Sequence, residues 1–114
     1  MSYELTLADQ ARQHIREQRL WYRTNLEDGD ALARRWTHEL DSALHDLCLH
    51  PERHGYAAPQ DQVEPGLLLR RMLFRPWKGG RGWKVVFAID EEARIVTVLY
   101  IRHESRPPLA DDEP

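Results

Sequence analysis

Apolar residues change their spacing along this chain, and each change marks a new element. From Ser2 to Leu7 they alternate, with Tyr3, Leu5 and Leu7 on one face, which predicts a short strand. Thr6-Leu7-Ala8-Asp9 places a threonine three residues ahead of a carboxylate, the arrangement of a helix cap. Ala8, Ala11, Ile15, then Gln18 or Arg19, Tyr22 and Leu26 follow at helical spacing, with Arg12, Arg16, Glu17 and Arg23 mainly outside. That helix ends near 25–29. A second one opens at Asp28 or Asp30, carries Ala33, Trp36, Leu40, Ala43, Leu44 and Leu47 on its apolar stripe, and stops at Pro51. After a polar connection from Pro51 to Pro65, Leu67 to Phe74 reads as a strand. The stretch from Gly82 to His103 then makes a β-hairpin, two β-branched and aromatic runs around Asp90-Glu91-Glu92-Ala93. Both runs are apolar at odd and even positions alike, so both faces of the hairpin need cover.

The elements follow in the order β-α-α-β-β-β. The two helices, joined by Asp28-Gly29-Asp30, form a helical hairpin that covers a small, mainly antiparallel sheet, an α+β fold. One domain over residues 1–106 accounts for the chain, and the acidic, proline-bearing stretch 107–114 lacks the apolar content to pack. No apolar run approaches the roughly 20 residues needed to span a bilayer, and the first thirty residues carry charge throughout, so the expected compartment is the cytoplasm. A single cysteine, Cys48, excludes an internal disulfide.

Net charge is −3, which argues against a nucleic-acid binder, but its distribution alters that view. Between Pro65 and Ile89 lie Arg70, Arg71, Arg75, Lys78, Arg81 and Lys84 with no acid among them, a basic region on an acidic body. Antiparallel pairing of the hairpin sets Lys84, near its entry, beside Arg102 and His103 at its exit, within reach of one phosphate.

The element order, the helix end Leu49-His50-Pro51 followed by Arg53-His54-Gly55, and the closing runs Gly-Trp-Lys-Val-Val-Phe-x-Ile and Val-Leu-Tyr-Ile-Arg-His resemble the RelE/ParE superfamily of type II toxin-antitoxin toxins. The resemblance spans residues 2 to 106 and is most specific in the last two strands. It implies a small toxin held inactive by a cognate antitoxin. RelE-like members enter the ribosome and cleave translated messenger RNA, whereas ParE-like members share the fold and inhibit DNA gyrase. Ribosome-dependent RNA cleavage is the first expectation and gyrase inhibition the alternative.

Cleavage of RNA through its own 2′-hydroxyl requires a base, cations for the developing phosphorane charge, and an acid for the leaving oxygen. Imidazole suits proton transfer near neutral pH, and His103 falls where some ribosome-dependent relatives carry such a histidine. Lys84 falls where the nucleases usually place a phosphate-stabilising arginine. These two, with Arg71 for phosphate contact, are the expected catalytic set. Arg70, Arg75, Lys78, Arg81 and Arg102 are candidates for target or RNA contact, as is Trp77, which follows Pro76 at the start of a glycine-bearing loop. Trp36 and Trp83 belong to the core by their spacing. Two features depart from the nuclease pattern: Lys84 lacks the guanidinium fork, and Glu104 stands where an aromatic residue is usual. The six histidines show no zinc spacing, and Gly79-Gly80-Arg81-Gly82 lacks the ending of a nucleotide-binding P-loop, so neither metal nor cofactor is expected.

Overall fold

A computed structural model of the chain describes residues 2–77 and 82–104. Strand β1 (Glu4–Leu7) leads into helix α1 (Asp9–Asn25) and helix α2 (Gly29–Leu49), and strands β2 (Arg70–Phe74), β3 (Trp83–Asp90) and β4 (Ile95–His103) follow. The expected acidic tail, Lys78 and Arg81 lie outside the described residues.

The sheet runs in the order β1-β4-β3-β2. Strand β4 is central, parallel to β1 from Glu4↔Ile95 to Leu7↔Val98 and antiparallel to β3 from Trp83↔His103 to Asp90↔Ile95. A bulge between Val86 and Phe87 shifts the β3–β4 register. The hairpin turn places Arg94 in the left-handed region, at φ 59°. Arg94 and Tyr3 then fasten that end of the sheet: the guanidinium lies 4.1 Å above the Tyr3 ring, while the Tyr3 hydroxyl donates to Glu91 at 2.7 Å.

Each sheet face is covered, as the hairpin's two-sided apolar pattern requires. One face packs Met72, Phe74, Trp83, Val85, Phe87, Val98 and Ile101 against Ala11 and Tyr22 of α1 and Trp36, Leu40, Leu44 and Leu47 of α2. Trp36 is fully buried and meets Phe74 and Trp83 at 5.9 and 5.8 Å between ring centres. The helices approach so closely where they join that a Cβ on Gly29 would stand 2.1 Å from the Tyr22 carbonyl oxygen.

The opposite face carries Val86 and Tyr100, packed beneath Ala57, Val63 and Leu69 of the segment between α2 and β2. That segment, expected as a polar loop, contains two single turns of 3₁₀ helix at Pro51–Arg53 and Pro59–Asp61 and lies across the sheet as a strap. Gln62 fixes it. Its amide nitrogen donates to the Ala57 and Leu69 carbonyls at 2.9 and 3.0 Å, and its oxygen accepts the Leu69 N–H at 2.8 Å.

Local corrections follow from these contacts. Leu67 to Leu69 do not join β2, because Gln62 takes both polar backbone groups of Leu69 and Gly66, at φ +84°, turns the chain just before. Thr6 caps nothing. It stays inside β1, which pairs with β4 through Leu7, and the residue preceding α1 is Ala8, with no side-chain cap.

Candidate functional site

Lys84 and Arg102 face each other across the β3–β4 ladder, as the hairpin predicted. Alternation puts them, with Val86 and Tyr100, on the face beneath the strap. There the 3₁₀ turn at Pro59–Asp61 delivers a carboxylate to them. Asp61 is 1% exposed, and Lys84 Nζ lies 3.3 Å from its Oδ2 with Lys84 itself 9% exposed. Arg102 is buried in the same layer at 7%. The Tyr100 hydroxyl is also buried there, and burial first, then the nearby Asp61 charge, holds it protonated well above the usual phenol range. Two cations, a carboxylate and a phenol thus share a closed site under the strap. Asp61 went unrecognised in the sequence because its charge sits in a connection that reads as solvated; Pro59 two residues earlier, opening a helical turn, is the sole local signal.

His103 lies on the other face. Its ring meets Trp83 edge-on at 4.9 Å between centres. It borders a cavity of about 180 Å³ between α1 and the end of the hairpin, together with His14, Trp21, Trp36 and Trp83. At the cavity wall His14 Nδ1 accepts the N–H of Ile101 at 3.2 Å, which fixes its ring against β4 beyond the end of β1. The phosphate seat expected of Lys84 and His103 together is therefore absent: the residues occupy successive ladder positions, Lys84 opposite Arg102 and Trp83 opposite His103, and so point to opposite sides.

The remaining candidates are dispersed. Arg71 is exposed on β2. Arg70 stacks over the Tyr56 ring at 4.5 Å and donates to the His54 and Glu52 carbonyls, which ties the strap to the sheet edge. Arg75 reaches Glu104 at 3.8 Å, and the Gly82 N–H also donates to the Glu104 carboxylate, so Glu104 closes the base of the hairpin. Trp77 packs on Tyr22 and Trp83 at 5.8 and 6.4 Å with Arg35 5.6 Å from its ring centre, a half-buried rim of the aromatic core rather than a free stacking platform. Among the described residues no group of three histidine, cysteine or carboxylate side chains comes together to hold a metal, and no helix is long and apolar enough to cross a membrane.

The model of the ParE toxin of type II toxin-antitoxin systems matches residues 5–108. The chain belongs to that family. Among solved structures this ParE-family toxin is similar to the toxin-antitoxin complex RelBE2 from Mycobacterium tuberculosis, with 18% identity and a TM-score of 0.53 over 91% of this chain and 100% of that one. It is also similar to the intact RelBE toxin-antitoxin complex of E. coli, with 13% identity and a TM-score of 0.52 over 92% of this chain and 100% of that one. At these identities the likeness is one of fold. Among curated proteins none matches it in sequence. In this ParE-family toxin the helical hairpin over a four-stranded mixed sheet is the RelE-type arrangement.

Proposed function

We propose that this toxin, restrained by a cognate antitoxin, arrests growth by binding DNA gyrase rather than by cutting messenger RNA. One observation carries the choice: Lys84, the expected phosphate-stabilising cation, is buried against Asp61, while His103, the expected proton donor or acceptor, sits across the sheet against Trp83. Acid, base and cation must converge on one phosphodiester to cleave it, and here Lys84 and His103 lie on opposite faces of the sheet. Arg71 remains exposed on β2, yet an arginine without a proton-transfer partner binds phosphate and does not break it. The match to the ParE family supports the toxin-antitoxin part of this reading. A toxin that acts by binding needs shape and surface charge, and both remain available around the buried ion pair.

The test measures two things after induction without antitoxin. Purified toxin is expected to inhibit gyrase-catalysed DNA supercoiling, and new messenger RNA 5′ ends are expected to be absent from cells that have stopped growing. His103→Gln is expected to retain growth arrest. Codon-phased cuts inside translated messages, abolished by His103→Gln in a variant that folds normally, would establish the nuclease instead.

A further inference from the structure

Three of the four tryptophans meet at the cavity between α1 and the end of the hairpin. Trp36, fully buried, and Trp83, 5% exposed, make its inner wall, and Trp21 stands at its mouth, 49% exposed. Trp21 belongs to neither apolar cluster of the described residues; an edge-on contact with buried Tyr22, at 5.8 Å between ring centres, sets it there. The rings are inclined steeply rather than stacked, Trp36 to Trp83 at 64° and Trp83 to His103 at 90°. Inclined walls turn ring faces as well as ring edges toward the space they enclose, and the face is the negative end of the aromatic quadrupole.

The charge at this cavity has the same sign. Glu17, exposed on α1 one turn before Trp21, is the carboxylate of the wall, and the Gln13 amide donates to its Oε1 at 3.0 Å and orients it. No lysine among the described residues lines the cavity. Arg102 touches it from β4, but its side chain belongs to the buried layer beneath the strap, opposite Lys84. His14 accepts the Ile101 N–H with Nδ1, the tautomer that carries its proton on Nε2 and no positive charge. An anion would meet Glu17 there with no lysine or arginine side chain facing it. A purely apolar guest would desolvate Glu17 and the imidazoles without pairing them. A cation on an alkyl stem satisfies both: the stem covers indole, and the charged head lies between ring faces and carboxylate. At about 30 Å³ for each water-sized group, the cavity of about 180 Å³ has room for a short alkyl chain with its ammonium head. We infer that this cavity is a seat for an alkylammonium group, with Trp21 and Trp83 as its aromatic walls and Glu17 as its counter-ion. The group arrives as the lysine side chain of a bound protein or as a free primary amine, and the chemistry that holds it is the same. The seat is a property of the folded chain and does not depend on gyrase as the target.

Titration of the purified toxin with n-butylammonium chloride, followed through the indole N–H signals of Trp21, Trp36 and Trp83 in two-dimensional NMR, tests the seat. The Trp21 and Trp83 signals are expected to shift together and to saturate, while 1-butanol, of similar shape but uncharged, binds about tenfold more weakly. Glu17→Gln is expected to weaken the amine about fivefold without affecting 1-butanol, and Trp21→Ala to weaken it about tenfold. Both positions are exposed on α1, and the circular dichroism of both variants is expected to match that of the parent. Equal binding of amine and alcohol would make the cavity an apolar hollow and overturn the inference; tighter binding of acetate, or a Trp83 signal that does not move, overturns it too. Inhibition of gyrase-catalysed supercoiling then separates the two sources. If both variants need about tenfold more toxin, the occupant is a lysine of the target; if inhibition is unchanged while amine binding is weakened, it is a free amine. Should the parent toxin leave gyrase unaffected, the gyrase reading fails and the titration alone decides on the seat.

Discussion

Asp61 and Lys84 show what a buried charge does when a neighbour is taken away. With Asp61 1% exposed and Lys84 9%, neither side chain has water to replace the other. Removing one partner leaves a desolvated charge, whereas removing both leaves none, so the single change is the harsher. Asp61→Ala is expected to lower stability by about 3–5 kcal/mol, and the double change Asp61→Leu with Lys84→Met to restore most of that loss. Urea unfolding with unchanged denaturant slope checks both. Equal losses for the single and double variants would mean that strap packing, rather than the ion pair, holds this layer. The sequence announced Lys84 as a cation and Arg102 as its neighbour, but not their counter-ion. A carboxylate brought 23 positions along the chain by a strap leaves no periodic trace.

At the scale of elements, spacing was enough to find both helices, the β3–β4 hairpin and the core roles of Trp36 and Trp83, because burial against a layer imposes a period on the residues that face it. The strap obeys no such period. It is held by Gln62, by Arg70 and the Asp61–Lys84 pair, and by the apolar packing of Ala57, Val63 and Leu69, and the same polar composition in another chain makes a solvated loop. Nor does a strand's residue list say which way its neighbours carry charge: His103 and Lys84 look adjacent in the hairpin and end on opposite faces. The helical hairpin yields its own expectation. Gly29 sits against the Tyr22 carbonyl, a backbone atom that cannot rotate away. Gly29→Ala is expected to force α1 and α2 apart and cost about 1–3 kcal/mol, read as a lowered urea midpoint. A stability equal to that of the parent would show that the helices can part without loss.

For the molecule as a whole, half-buried His54 and buried Tyr100 make stability depend on pH in opposite senses. His54 packs edge-on against Phe87 at 5.9 Å, and burial, then the charges of Arg53 and Arg70, hold its imidazole below the ordinary value of 6.5. The folded state therefore binds that proton less readily than the unfolded chain, so the stability His54 contributes is present above pH 6.5 and is lost as pH falls through the lowered value. Tyr100 acts in the opposite sense. Its raised value means that its contribution is complete below pH 10 and disappears as the phenol ionises in strong alkali. Urea midpoints measured across pH are expected to form a plateau between these limits, with the acid side flattened in His54→Asn. An unaltered acid slope in that variant would assign the loss to other groups.

The central position of β4 has a consequence in time as well as in space. The strand that β1 and β3 both need is the last of the four to be made, and Glu4 waits for Ile95 before it has a neighbour. The helical hairpin can form as soon as it emerges, since its contacts are local, but the sheet cannot close until the hairpin strand beyond the turn has been synthesised. A nascent or prematurely terminated chain that lacks β4 is thus a helical hairpin with β1 unpaired and β2–β3 a separate two-stranded ladder, and the poison is assembled only once β4 has been made.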